Sequence, residues 1–399
     1  MNADRTLFDD PAGAPIWSES DWGLANAKTR QLFNPTSPID EDKLFSGRIV
    51  QVSDLLGVVY ERGSHAIIFG ERGVGKSSLA NTISKKIPAA LQNIRFLKDN
   101  CRPEDNFFSL WSKLLWDFNY EGEPISEFLK NESRDFIIIK ILESLDKAKQ
   151  YVFVLDEFDR LSDNATKSAM ADTIKHFSDY PQNITIVIVG VGSSVDELFG
   201  AHPSIQRCCR QIAMQRMSNA ELNEIIDERY LAIGISSPAT VKSELINLSQ
   251  GMPGFVHLSA REAALSALSR RNREIDSIDL KAAITGAVTN AQHSIVTAYK
   301  KAVYSPKDNI YQHVLLACAL AERDELGKFS ASEVKEKLQD ILGRNIEISG
   351  FSRHLAAFCD VERGAVLRKT GKTRRFQYQF IDAPLQPYIV MAGKAAGLI

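Results

Sequence analysis

The chain has 399 residues, of which 44% are hydrophobic and 25% charged, the balance of a folded chain too long for one ordinary core. A formal charge of -2 gives no global sign of a nucleic-acid partner, so any such contact has to come from a local patch. No run of 18 apolar residues is present to cross a membrane and the first ten residues form no apolar leader, so no membrane contact and a cytoplasmic location are expected.

Residues 1–37 are rich in Asp, Pro, Gly and Asn and read as an extended N-terminal arm, with at most a short helix over 25–32. From Ile49 strands and helices alternate, the pattern of an α/β layered domain over 38–217. Apolar runs at 65–69, 94–97, 151–155, 184–189 and 211–214 predict buried parallel strands, and helices are predicted over 76–86, 106–118, 134–149 and 165–177. Ser218-Asn219-Ala220-Glu221 is a capping box, and helical periodicity then runs to about Tyr304, giving an all-helical unit over 218–304. Residues 305–309 read as a linker into a last unit, 305–399. It has helices at 311–323, 331–342 and 350–360, then a hairpin of strands 365–369 and 374–380 around Gly371, the layout of a winged helix. Cys101, Cys208, Cys209, Cys318 and Cys359 are scattered without a C-x-x-C pair and read as reduced thiols.

The strongest motif is Gly70-Glu71-Arg72-Gly73-Val74-Gly75-Lys76-Ser77-Ser78, which follows a predicted strand and opens a predicted helix. Glycines at these spacings let backbone N–H groups close around phosphate oxygens at a helix N-terminus. In such a P-loop Lys76 reaches the β- and γ-phosphates of ATP and the Ser77 hydroxyl ligates Mg²⁺. About eighty residues downstream, an apolar strand ends in Asp156-Glu157. Asp156 is expected to orient the magnesium shell and Glu157 to act as general base on the attacking water. Asp159 and Arg160 read as solvated or structural. Neither an Asn-Lys-x-Asp motif nor a Leu-Ser-Gly-Gly motif is present, which argues against a GTPase and an ABC ATPase.

The order of features resembles AAA+ ATPases of the origin-recognition-like and STAND groups, over about residues 38–387. Gly190-Val191-Gly192-Ser193 after the fourth strand is similar to the family's polar sensor, which would make Ser193 a catalytic contact. The segment from Pro38-Ile39 through Leu44-Phe45-Ser46-Gly47-Arg48 resembles the one that lies against the adenine, implicating Arg48, and Gly251-Met252-Pro253 matches a Gly-x-Pro turn in the helical lid, implicating Pro253. Origin-recognition proteins carry a lid arginine where this chain has Gly251-Met252-Pro253-Gly254, so the site leans towards STAND. The resemblance also implies an arginine finger, Arg207 or Arg210, acting in a neighbouring subunit of a homo-oligomer formed in ATP.

Residues 301–399 hold fifteen basic against eleven acidic residues, a net of +4. Arg368, Lys369, Lys372, Arg374 and Arg375 fall within eight positions of the hairpin, and the third helix offers Ser349, Ser352, Arg353 and His354. A winged helix of this charge suits duplex DNA, with Arg353 towards bases and the hairpin on phosphates. The alternative is a winged helix that contacts a protein partner, or that holds the ATPase closed.

Overall fold

The computed structural model describes residues 17–34, 47–86, 93–192, 194–200, 203–305, 310–324, 327–371 and 375–399. Helix α1 (Glu19–Leu32) leads to α2 (Ile49–Tyr60), strand β1 (His65–Gly70), α3 (Lys76–Lys86), β2 (Ile94–Asn100) and α4 (Phe107–Leu114). A small hairpin of β3 (Asn119–Tyr120) and β4 (Glu123–Pro124), then α5 (Ile125–Phe128) and α6 (Phe136–Glu143), precede β5 (Gln150–Asp156). The α/β part ends with α7 (Asn164–Asp179), β6 (Ile184–Val191), α8 (Val195–Phe199), α9 (Pro203–Cys208) and β7 (Cys209–Ala213). A helical unit follows: α10 (Asn219–Ile233), α11 (Ala239–Ser249), α12 (Pro253–Ser269), α13 (Ser277–Thr289) and α14 (His293–Val303). The C-terminal module has α15 (Tyr311–Leu320), β8 (Phe329–Ser330), α16 (Ala331–Leu342), α17 (Ile348–Phe358), β9 (Leu367–Thr370), β10 (Gln377–Phe380) and α18 (Leu385–Ala395).

The central sheet has the order β2-β5-β6-β1-β7 with every pair parallel. Its inner strands are near-continuous Val, Ile, Leu and Phe because helices cover both faces, so alternation would leave polar groups in the core. One face packs Trp111, Phe153, Phe158, Ile174 and Phe177 into a cluster with α4, α6 and α7. The opposite face begins a second cluster at Leu55, Val59, Val74 and Ile83. That cluster continues without a break through Met252 and Phe255 into Leu315, Phe329, Phe351 and Ile389 of the C-terminal module.

Four features differ from the sequence reading. The N-terminal helix starts at Glu19 rather than near residue 25, because Ser18 and Asp21 form a capping box. It is docked on α10 and α12: fully buried Phe33 meets the rings of Tyr230 and His257 edge-on, and Arg229 Nε donates to the Leu32 carbonyl at 3.1 Å. Burial beside Arg229 pushes the His257 pKa down to about 3, which suits a packed, neutral histidine. The C-terminal strands are shorter than expected, since Gly364 and Ala365 have positive φ and pairing starts only at Leu367. That sheet gains a third strand, in the order β8-β10-β9, and α18 had no counterpart in the sequence reading.

Replacing Phe33 with Ala removes a fully buried ring and should cost about 3–5 kcal/mol. Trp17 and Trp22 lie beside each other at the opposite end of α1 and report undocking of the helix as a lower denaturant midpoint in tryptophan fluorescence. An unchanged midpoint would mean that the helix is not docked in solution.

Candidate functional site

The parallel strands bring Gly70, Asp156 and Val191 to one edge of the sheet, with Gly70 beside Val191 and Leu155 beside Ile188. Open α/β sheets bind ligands outside the carboxyl ends of their strands. The P-loop turns there, with Gly70, Gly73 and Gly75 at φ of +151°, +85° and +99°. A Cβ at Gly70 would stand 2.2 Å from the Met214 carbonyl oxygen, so only glycine fits this close approach. The loop residues Glu71, Arg72 and Val74 then lead into α3 at Lys76, Ser77 and Ser78.

Lys76 is buried, and its Nζ donates to the carbonyls of Gly70 at 3.0 Å and Glu71 at 2.7 Å. Burial lowers its pKa to about 8, opposed by Asp159, Asp156 and Glu71 and aided by Arg72. A desolvated ammonium held by two backbone carbonyls gains more from a phosphate than a solvated one does. Asp156 is 4% exposed at the end of β5. Its Oδ1 accepts from the Glu157 N–H at 2.9 Å, and its Oδ2 lies 2.8 Å from Lys98 Nζ. Ser77 and Asp156 are the hard oxygen donors that a small divalent cation takes, and a buried carboxylate already balanced by a cation fits such an ion.

Glu157 sits at φ +56°, a left-handed conformation rare outside glycine and asparagine, which turns its side chain away from the strand direction. Its half-exposed carboxylate pairs with Arg160 Nη1 at 2.7 Å. Asp159 Oδ1 accepts the Val191 N–H at 2.7 Å and ties this turn to the end of β6. Asp159 thus holds the turn in place and Arg160 is exposed beside Glu157, the structural and solvated roles expected of them. Lys98 was not singled out at all, because an edge-strand lysine carries no motif.

Arg48 is buried at φ +60° and is committed to the protein itself. Its Nη2 donates to the carbonyls of Val74 and Gln215, and its backbone N–H donates to Glu221 Oε1 at 3.2 Å. Burial lowers its pKa. Pro253 opens α12, and Met252 before it lies against the P-loop at Gly73. Arg207 is exposed on α9, whereas Arg210 is paired with Asp54 of α2 at 2.7 Å, which leaves Arg207 the freer of the two candidates to reach a neighbour. Ser193 and the segment 38–46 lie outside the described residues.

The C-terminal module rests on the phosphate loop. Arg216, just after β7, donates from Nε to Glu71 Oε2 at 2.6 Å and from Nη1 to the Gln250 carbonyl at 3.1 Å and to Gln386 Oε1 at 2.6 Å. Gln386 Nε2 in turn donates to Gln250 Oε1 at 3.0 Å and to the Ala319 carbonyl at 2.7 Å. Arg323 joins from the end of α15, its pKa lowered to about 9 by burial and by the neighbouring Arg216. Pro384 stands over Gly73, Gly327 over the Glu71 carboxylate, and Asp382 lies 3.7 Å from Arg72.

The other side of this module is basic and open. Arg353, Arg368, Lys369 and Arg375 are exposed, with Lys369 also over the Phe376 ring at 3.5 Å. Lys372 and Arg374 lie outside the described residues. His354 does not face solvent with Arg353; it is buried against Tyr311.

A family profile described as an AAA domain matches residues 60–199. The ORC1-type DNA replication protein of Thermoplasma volcanium is 25% identical over 247 residues, covering 57% of this chain and 58% of that one, so the chain spans under three fifths of this relative's length. The solved structure of the Aeropyrum pernix ORC2 protein in ADPNP–ADP complexes covers 92% of this chain and 98% of its own at 14% identity, with a TM-score of 0.51. That of the Aeropyrum pernix ORC1 protein in complex with DNA covers 93% and 98% at 15% identity, with a TM-score of 0.50. At these identities the solved structures speak for the fold alone. Residues 60–199 match an AAA domain, and the fold of the chain is similar to that of the ORC proteins of Aeropyrum pernix.

Proposed function

We propose that the chain binds and hydrolyses Mg²⁺·ATP and uses the nucleotide to control a winged-helix module that contacts duplex DNA. The observation that carries this reading is the bonded path from Glu71 in the phosphate loop through Arg216 to Gln386 in α18. Any change in the loop on nucleotide binding or loss is felt directly by the C-terminal module. Lys76 and the P-loop amides would hold the phosphates, Ser77 and Asp156 the metal, and Met252 and Pro253 would close over the nucleotide from the helical side. The metal, when bound, supplies Lewis-acid charge at the phosphates. Glu157 is the general base, and Arg160 holds its carboxylate until the two part. Arg207 is the residue we assign to a neighbouring subunit's site in an ATP-bound oligomer.

The exposed basic face supports DNA as partner, and the ORC1 protein solved with DNA shares the architecture. A second reading is favoured by the opposite face of the same module. Because that face covers the P-loop, the module is also suited to keep the ATPase closed until a protein partner displaces it.

Lys76→Ala should abolish nucleotide binding, and Glu157→Gln should retain binding while lowering turnover about 10²-fold or more. Nucleotide titrations and phosphate release measure both, and mixing inactive Lys76→Ala with Arg207→Ala should restore part of the activity. Full turnover by Glu157→Gln removes the base assignment, and full activity of Arg207→Ala as a monomer removes the trans arrangement.

Arg216→Ala should free the C-terminal module, seen as faster backbone hydrogen exchange over 377–395 while the central sheet stays protected. Exchange that rises equally throughout the chain would mean general destabilisation and no specific link.

Binding of a fluorescent duplex should weaken as salt rises, with a log–log slope of about -3 to -4 if three or four cations meet phosphates. Arg368→Glu with Arg375→Glu should flatten that slope without touching DNA-free ATPase activity. Absence of binding at low salt, with and without a non-hydrolysable ATP analogue, would transfer the module to the protein-partner reading.

A further inference from the structure

Lys98 is the one cation in direct contact with Asp156 among the described residues, and no P-loop motif accounts for it. β2 is the edge strand of the sheet and pairs in parallel with β5, with Lys98 opposite Val154 and Asn100 opposite Asp156. The lysine stem therefore runs forward along the strand, and its Nζ comes to 2.8 Å from Asp156 Oδ2. Asn81 of α3 accepts a second bond from the same Nζ at 2.6 Å. An edge-strand lysine gains little from pairing with a carboxylate in water. Here the partner side chain is only 5% exposed, so its charge is poorly screened and needs a counter-ion. Beside the ammonium lies an open cleft of about 480 Å³, bordered by Asp99, Asn100, Arg102, Glu157 and Arg160.

We propose that Lys98 is a resident counter-ion for Asp156, balancing the carboxylate whenever no divalent cation is bound and giving it up when one arrives. The proposal rests on the nucleotide-site reading above. Without a cation at Asp156, the buried carboxylate would repel an incoming triphosphate, so Lys98 lets metal-free nucleotide bind. The same ammonium competes with the divalent cation for Oδ2, so it weakens metal binding. With the carboxylate taken, the flexible stem would let the ammonium swing into the solvent-open cleft beside Asp99, which Arg102, Glu157 and Arg160 also line. Two roles of opposite sign on one side chain give the chain a weak dependence of nucleotide affinity on metal.

The test compares the unchanged protein, Lys98→Met and Lys98→Arg for binding of mant-ATP, in EDTA and in saturating Mg²⁺. A unit charge about 4 Å away in a half-exposed site changes an affinity by on the order of tenfold. Lys98→Met should therefore bind metal-free mant-ATP about tenfold more weakly, and its Mg²⁺ half-saturation should fall by about tenfold. Its ratio of affinities with and without metal should rise by about tenfold, because linkage makes that ratio and the half-saturation move together, while Lys98→Arg stays near the unchanged protein. Each ratio is taken within one protein, so a partial loss of folded material cancels. A ratio in Lys98→Met equal to that of the unchanged protein overturns the proposal, as does a Lys98→Arg ratio as high as that of Lys98→Met. Failure of the unchanged protein to bind mant-ATP in either buffer would instead overturn the nucleotide-site reading, and this proposal with it.

Discussion

The guanidinium of Arg216 is the interaction on which the arrangement of the three parts depends. It satisfies the carboxylate of a phosphate-loop residue, a carbonyl at the end of α11 and the side chain of a fully buried glutamine in α18. Removing it would strand polar groups where water reaches poorly, and stranded groups of that kind cost about 1–3 kcal/mol each. Arg323 stands close enough for its pKa to be lowered by Arg216, so two like charges share one carboxylate, Glu71. Such a cluster is stable while Glu71 stays put and becomes repulsive once it turns away, which couples the loop's conformation to the packing of the last helix.

The nucleotide pocket shows the same economy of charge. Lys76 is held over its own loop by two carbonyls, and Asp156 is neutralised by Lys98, so neither an isolated ammonium nor an isolated carboxylate is left buried. The turn after β5 is fixed by Asp159 accepting from Val191, while the strained Glu157 backbone between them presents the carboxylate outward to Arg160. Fixed donors and acceptors of this kind are set before the reaction and need little rearrangement during it.

What the sequence disclosed followed the range of the interactions. The glycines of the P-loop, the strand before Asp156 and the capping box at Ser218 are local patterns, and each lies in the structure where its pattern predicts an element. Arg216 could not be read this way, since its partners Glu71 and Gln386 are 145 and 170 residues away in the chain. Lys98 was missed and the partner of Asp159 was not legible for the same reason: both contacts depend on strand order, which places β2 beside β5 and β5 beside β6. The hairpin's basic residues were legible as charge, but His354 was not legible as core, because a helix of that period leaves one position between the two faces. Helix α18 escaped notice because every residue from 385 to 393 is buried, so it lacks the exposed polar face that marks a surface helix.

The burial of α18 on every side has a mechanical consequence. α18 belongs to the C-terminal module by chain order, yet it is wedged among α11, α13, α14 and α15, and Lys394 is pinned to Glu244 of α11. Pulling the module off the phosphate loop as a separate body would tear a continuous apolar seam, at a cost of about 25 cal/mol for every Å² laid bare. The less costly motion keeps α18 seated and turns the module together with the helical unit, as one lever about the chain between β7 and α10. Arg216 sits in that connecting stretch, bonded on one side to Glu71 of the phosphate loop and on the other to Gln386 of α18.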